Sequence, residues 1–215
     1  MVAAKLAVLV SGSGTNLQAM IDAIAFGLIP AEIAVVVSSR ADAFALQRAA
    51  RAGIPTVVVP RRDYRDNEAY SQALLEVLAP HQPDLVLLAG FLSVLSEGFV
   101  RHYQGRIMNT HPSLIPAFCG PGFYGQRVHQ AVLDYGAKVS GATIIFVEAG
   151  VDSGPIILQE AVPVYDDDTV DTLAERVLAV EHRLYVKAVQ YYLAGRLQIR
   201  GRRVYITDGE GGKGQ

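Results

Sequence analysis

The chain has 215 residues, of which 51% are hydrophobic and 19% charged, and its formal net charge is −2 at pH 7. This balance is typical of a globular protein with a substantial core, either one large domain or two closely packed halves. No basic block beyond 200–203 suggests a nucleic-acid surface, and no apolar run approaches the length of a membrane span. A single cysteine, Cys119, excludes an internal disulfide. We therefore expect a soluble, cytoplasmic protein that binds neither nucleic acid nor membrane.

The N-terminal segment is typical of a phosphate-binding unit. Residues 6–10 predict a buried parallel strand, 11–16 a glycine-containing turn, and 17–26 a helix. A helix that begins after such a turn presents free backbone N–H groups to a phosphate. The third glycine of the dinucleotide-binding motif is absent, because Leu17 occupies its position. Arg40 after the second strand keeps an NADP site open as an alternative, and a turn without any ligand is another.

Strands and helices continue to alternate, which predicts a Rossmann-like, doubly wound, mostly parallel α/β sheet with helices on both faces. The mainly apolar residues 90–95 follow the predicted strand 85–89, where they either wall a pocket for a flat ligand or cap the core. The other elements predicted in this half are a strand that includes 35–37, a helix over 43–52, a strand over 56–59 and a helix over 67–78.

The most informative stretch, 108–116, places an amide and an imidazole side by side. In a strand, Asn109 and His111 lie on the same face, and Pro112 and Pro116 then end the strand and stiffen the loop. Ligands of open α/β sheets bind at the carboxyl ends of strands. An amide N–H can stabilise an oxyanion and an imidazole can transfer a proton. A capping Asn beside an ordinary loop His is the alternative.

The second half predicts one continuous domain that ends near residue 206. Asp152 lies in a glycine-rich turn, either as an ordinary turn residue or as a carboxylate that orients an imidazole and raises its pKa. Glu181 either is solvated or faces a cleft. The elements predicted here are a flexible connection over 120–125, helices over 126–133 and 170–193, strands over 139–147 and 156–159, a hairpin of 197–199 with 204–206, and a disordered tail over 207–215.

Other catalytic constellations are weaker. The five histidines are scattered without the spacing of a metal site, so no metal is expected. A nucleophilic pair of Cys119 with His111 is conceivable, but no electropositive group near Cys119 is evident to lower the pKa of its thiol.

Four segments resemble a known family in their order along the chain: VSGSGTNLQ (10–18), LAGFL (88–92), NTHPSLIP (109–116) and DSGPII (152–157). Over about residues 5–200 they closely resemble the phosphoribosylglycinamide formyltransferases, folate-dependent enzymes of purine biosynthesis. The second half of this set, N-x-H-P-S-L-x-P with D-x-G-P, is shared with the wider formyltransferase superfamily. The S-G-x-G-[ST]-N-L-Q turn is specific to the glycinamide ribonucleotide branch.

The resemblance implies formyl transfer from 10-formyltetrahydrofolate, a co-substrate, to the amine of N1-(5-phospho-β-D-ribosyl)glycinamide, without a permanently bound cofactor. It assigns the oxyanion to Asn109, proton transfer to His111 and the orientation of His111 to Asp152. It implies a single domain over 1–206, with a nucleotide-binding half (about 1–105) and a folate-binding, catalytic half (about 106–206), as a monomer or homodimer. The phosphoribosyl group is assigned to Gly14, Thr15, Asn16 and Glu181. The folate is assigned to Leu92, Ser93, Val94, Leu95, Asn109, Glu148, Ala149, Gly150, Val151 and Asp152.

Several positions depart from the family pattern. Basic residues common in the family are replaced by Ser93, Asn67 and Leu178, and a frequent His is replaced by Ile145. Arg61, Arg62 and Arg65 are candidate substitutes for the missing cations. Within the superfamily, a formyltetrahydrofolate hydrolase is an alternative, which would normally carry an N-terminal regulatory domain, and a methionyl-tRNA formyltransferase would add a C-terminal nucleic-acid-binding domain. A non-catalytic nucleotide-binding module is the alternative from another class.

Overall fold

The computed structural model describes residues 3–208 and contains, within them, nine strands and six α-helices. The strands are β1 (Ala4–Val10), β2 (Ala31–Ser38), β3 (Thr56–Val58), β4 (Leu85–Ala89), β5 (Ile107–His111), β6 (Val139–Phe146), β7 (Ile156–Pro163), β8 (Leu197–Arg200) and β9 (Arg203–Ile206). The helices are α1 (Thr15–Ala25), α2 (Phe44–Arg51), α3 (Asn67–Leu78), α4 (Glu97–His102), α5 (Gln126–Tyr135) and α6 (Val170–Leu193).

All nine strands form one sheet in the order β3-β2-β1-β4-β5-β6-β7-β9-β8. The first five in this order run parallel, whereas β6 is antiparallel to both β5 and β7. The prediction of a mostly parallel α/β sheet is therefore confirmed. The strand order reverses at β1, so the crevice outside the carboxyl ends of β1 and β4 is the expected ligand site of such a sheet.

Alternate residues of β1 enter two separate cores, one on each face of the sheet. Leu6, Val8 and Val10 pack with residues of α1, α2, α5 and α6. Ala7 and Leu9 pack with residues of α3 and α4. A central parallel strand covered on both faces needs a continuous apolar run, which residues 6–10 supply. Helices therefore cover both faces, as predicted.

The predicted elements differ from the structure at a few places. Helix α4 was not predicted, because six residues are too few for helical periodicity; Ser96 caps it by accepting a hydrogen bond from the Phe99 N–H. Strand β2 begins at Ala31, ahead of the apolar run 35–37. Of the tail predicted to be disordered, Thr207 is held by Arg196: its N–H donates to the Arg196 carbonyl, and its carbonyl accepts from Arg196 Nε. Residues 209–215 lie outside the described residues.

Between residues 3 and 208, no helix combines the length and apolar character that a membrane crossing requires.

Candidate active site

The turn before α1 has the conformation that a phosphate loop requires. Gly14 has a φ of 72°, and a Cβ at this position would lie 2.6 Å from the Cβ of Ala45, so only glycine fits without a shift. Arg48 of α2 donates from Nε to the Ser13 carbonyl at 2.9 Å and thereby holds the turn. No local pattern in the sequence indicates this support, because α2 is distant along the chain. Arg40 is ion-paired with Asp42 at 2.7 Å and does not line the cavity described below, which argues against an NADP site.

Glu181 is not a solvated charge. It is only 7% exposed, and its Oε1 accepts a hydrogen bond of 2.6 Å from the Asn16 carboxamide at the start of α1. Burial raises the pKa of the Glu181 carboxyl, and the hydrogen bond from Asn16 opposes this rise. The structure thus joins two residues that the sequence separates by 165 positions.

The end of β5 brings His111 and Asp152 together. His111 Nδ1 lies 3.3 Å from Asp152 Oδ2, and both side chains are almost completely buried. Asp152 Oδ2 also accepts a hydrogen bond of 3.0 Å from the Gly120 N–H, while His111 Nε2 donates to the Phe118 carbonyl at 2.9 Å. Of the two alternatives for Asp152, contact with an imidazole is the one that the structure contains.

Hydrogen bonds from β6, from β7 and within the loop, and not the two prolines alone, hold the loop after β5. Thr143 of β6 donates to the Ser113 carbonyl at 2.6 Å and accepts from the Ile115 N–H at 3.1 Å. Gln159 of β7 donates to the Ile115 carbonyl at 2.9 Å, and Ser113 donates to the Ala117 carbonyl at 2.6 Å. Thr143 and Gln159 could not be predicted from the sequence, since the direction of their side chains follows only from the register of β6 and β7.

The apolar loop 92–95 walls the site on the side of α3. The Leu92 N–H donates to the Ser11 hydroxyl at the end of β1 at 3.0 Å, so the loop is fixed to the sheet. Leu92 and Val94 are 56% and 50% exposed. Leu92 and Val94 therefore present apolar surface to the cavity, whereas Leu95 packs against the core, so each alternative describes part of this loop.

These elements surround one cavity of about 970 Å³ at the carboxyl edge of the sheet. Gly14, Asn16 and Ala149 lie next to the cavity but do not line it. The predicted site residues that line it are Thr15, Leu92, Ser93, Val94, Leu95, Asn109, His111, Glu148, Gly150, Val151, Asp152 and Glu181. The departures from the family pattern at Ser93, Ile145 and Leu178 are in the lining too.

Cys119, the candidate nucleophile, and Arg61, a candidate substitute for the missing cations, lie in different surroundings. Burial and the nearby Asp152 carboxylate raise the pKa of the Cys119 thiol, which opposes formation of the thiolate and makes a nucleophilic cysteine unfavourable. Arg61 donates to the Tyr64 carbonyl at 2.7 Å and to the Asn67 side chain at 2.9 Å. It is thereby held beside Tyr70, whose ring stacks on Phe91 next to the cavity, though Arg61 itself is not in the lining.

Fold and cavity together define an α/β protein with a candidate ligand site at the carboxyl edge of the sheet, and comparisons with known proteins specify the family. The family described as formyl transferase matches residues 4–189. Phosphoribosylglycinamide formyltransferase of Escherichia coli K12 is 39% identical over 94% of this chain and 93% of its own length. The trifunctional purine biosynthetic protein adenosine-3 of Bos taurus is 44% identical, and this chain spans only 20% of its length.

Solved structures agree with these relatives. Glycinamide ribonucleotide transformylase 1 from Symbiobacterium toebii superposes with a TM-score of 0.91 and 47% identity, covering 96% of this chain and 95% of that one. A formyltetrahydrofolate deformylase from Pseudomonas syringae has a TM-score of 0.87 over 96% of this chain and 67% of that one, but only 23% identity, so it shares the fold alone. The chain therefore belongs to the formyl transferase family and, within it, to the phosphoribosylglycinamide formyltransferases.

Proposed function

We propose that this chain transfers the formyl group of 10-formyltetrahydrofolate to the amine of N1-(5-phospho-β-D-ribosyl)glycinamide. The observation that carries the proposal is the arrangement of one cavity. Asn109, His111 and Asp152 line one part of it, while Thr15 and Glu181 line the part next to the α1 N-terminus. A ribonucleotide with its phosphate at that N-terminus extends its amine toward β5, two strand spacings away, about 10 Å.

In the proposed reaction the amine attacks the formyl carbon, and its C–N bond forms while the carbonyl oxygen becomes an oxyanion. The Asn109 carboxamide donates a hydrogen bond to this oxyanion. His111 transfers the proton of the attacking amine to N10 of the folate as the N10–carbon bond breaks, and for this step its Nε2 exchanges the Phe118 carbonyl for the reacting groups. Asp152 orients the His111 ring through Nδ1 and stabilises it when it carries the proton.

The two faces of the sheet separate the two proposed binding subsites. Phe91, Leu95 and Val147 belong to the core on the α3 and α4 side, and the loops that contain or adjoin them would enclose the pterin. Helices α1 and α6 belong to the other core and would hold the phosphoribosyl group. Both subsites lie within the proposed domain 1–206 of one chain, so a monomer or a homodimer would be active. The unpaired Cys119 supports activity in the reducing cytoplasm.

The direct test of this proposal is a turnover assay with both substrates. We expect deformylated folate to appear only when the ribonucleotide is present, with formylglycinamide ribonucleotide in equal amount. Release of formate without the ribonucleotide would instead identify a hydrolase. Binding of the ribonucleotide without turnover would identify a non-catalytic module.

Replacement of Glu181 by Gln is expected to make the fold more stable at pH 8 and to weaken binding of the ribonucleotide. The folded-state pKa of Glu181 is above its usual value of 4.5, so its contribution to stability is complete below that value and is lost as the pH rises through the folded-state pKa. A glutamine avoids this loss, and urea unfolding at pH 8 should show a larger free energy of unfolding for the variant. The KM for the ribonucleotide should rise about ten-fold, since a hydrogen bond to a charged group is lost.

Glu175→Gln is the matched control for this prediction, because Glu175 lines the same cavity from an exposed position on α6. It should leave the pH dependence of unfolding unchanged. A Glu181→Gln variant that is less stable than the wild type at pH 8 would contradict the assignment of a buried, destabilising charge.

A further inference from the structure

His129 is a buried imidazole of the cavity that the proposed mechanism does not use. It lies in the second turn of α5, is 5% exposed, and lines the same cavity as His111. Its Nδ1 is buried and has no hydrogen-bond partner within residues 3–208. Because Nδ1 is enclosed, Nε2 is the ring nitrogen that a ligand in the cavity can reach.

The position of α5 places His129 on the ribonucleotide side of the sheet. Val132 of the same helix packs in the core that contains α1 and α6. Gln126 at the start of α5 donates to Asp171 at the start of α6 at 3.0 Å, which fixes the two helices to each other. Leu178 of α6, one turn before Glu181, lines the cavity as well. His129 thus lies on α5, next to α6, whose Glu181 contacts the turn before α1. Phe91 and Leu95 lie on the opposite side of the sheet.

The charged groups that line the cavity indicate why a neutral imidazole donor would be important for binding a phosphorylated ligand. Among the described residues, the lining contains five carboxylates and neither lysine nor arginine. A phosphorylated ligand therefore depends on neutral donors, namely backbone N–H groups, hydroxyl groups and imidazoles. His111 is already engaged through both ring nitrogens, with Asp152 and with the Phe118 carbonyl. His129 is the imidazole of the lining whose buried Nδ1 has no partner among residues 3–208.

We propose that His129 binds the phosphoribosyl part of the ribonucleotide, donating its Nε2–H to a phosphate or ribose oxygen. This role rests on the proposed function and adds a binding residue to it. Burial and the neighbouring His111 both lower the pKa of His129, so the ring is kept neutral, with one N–H to donate and no charge to desolvate. His129 supplies a hydrogen-bond donor in a part of the cavity where Leu178 has only an apolar side chain.

The test compares His129→Leu and His129→Gln with the wild type in steady-state kinetics and in calorimetric binding of the ribonucleotide without folate. His129→Leu removes the donor, and its KM and Kd for the ribonucleotide should rise about ten-fold, as for a lost hydrogen bond to a charged group. His129→Gln keeps an N–H donor near the position of Nε2 and should recover part of this loss. The KM for 10-formyltetrahydrofolate should change by less than about two-fold in both variants, because Nε2 would not contact the folate.

His182→Gln is the matched control. His182 is a half-buried imidazole on α6, its Nε2 is also without a partner among the described residues, and burial lowers its pKa too, but it does not line the cavity. Its replacement should leave both KM values unchanged. If His129→Leu folds and binds the ribonucleotide as the wild type does, the proposed role of His129 is wrong. If it does not fold, His129→Phe, which keeps a ring but has no donor, takes its place, and an unchanged Kd of that variant has the same meaning. Absence of turnover in the wild type would overturn the proposed function itself.

Discussion

Asp152→Asn is expected to lower kcat by about 100-fold or more, in the range typical for the loss of an oriented acid–base group. The carboxylate that faces His111 Nδ1 at 3.3 Å becomes a neutral amide, which neither stabilises a protonated ring nor fixes its orientation as strongly. The fold should persist for two reasons. Asn tolerates the positive φ of 52° observed at this position, and its amide oxygen can still accept the hydrogen bond from the Gly120 N–H. The measurement is kcat at saturating concentrations of both substrates, with the melting temperature alongside.

Asp171→Asn serves as the control for this variant. Asp171 is a carboxylate of the same cavity that accepts a hydrogen bond from Gln126 on the exposed side of α5. Its replacement should change kcat by less than about two-fold. An Asp152→Asn variant with at least half of the wild-type kcat would show that the contact between Asp152 and His111 is structural.

Asn109→Ala is expected to lower kcat/KM by about 100-fold to 1,000-fold, the usual effect of removing one oxyanion donor. The Asn109 carboxamide lines the cavity, and no hydrogen bond joins it to another group within residues 3–208. Its removal therefore leaves no protein group unpaired, so the free energy of unfolding should stay close to that of the wild type.

Asn109→Asp tests the same assignment with an almost isosteric side chain. The shape is retained, but the N–H donor is lost and a negative charge faces the developing oxyanion. The loss of kcat/KM should be at least as large as for Asn109→Ala. If Asn109→Asp were instead the more active of the two variants, the donor role of Asn109 would have to be abandoned.

Local features of the chain were sufficient to predict the framework of this protein. The apolar run of residues 6–10 predicts a strand that is buried on both faces, and the structure confirms it. Helix α6 was predicted with its observed limits, because Thr169 caps its start and apolar residues recur at helical spacing over many turns. Helix α4 was missed because six residues provide no periodic pattern.

The sequence by itself determined the parts of the site that lie within one short segment: the glycine turn before α1, and Asn109 with His111 at the end of β5. Strand alternation and the restricted backbone around glycine act over a few residues, so such parts can be predicted locally. Only the tertiary structure decided which distant groups meet them. The antiparallel pairing of β6 with β5 and β7 directs Thr143 into the loop after β5, and the turn between β6 and β7 brings Asp152 to His111. The packing of α6 joins Glu181 to Asn16, and that of α5 places His129 in the cavity. These pairings depend on strand register and helix packing across the whole sheet, which no local pattern of residues specifies.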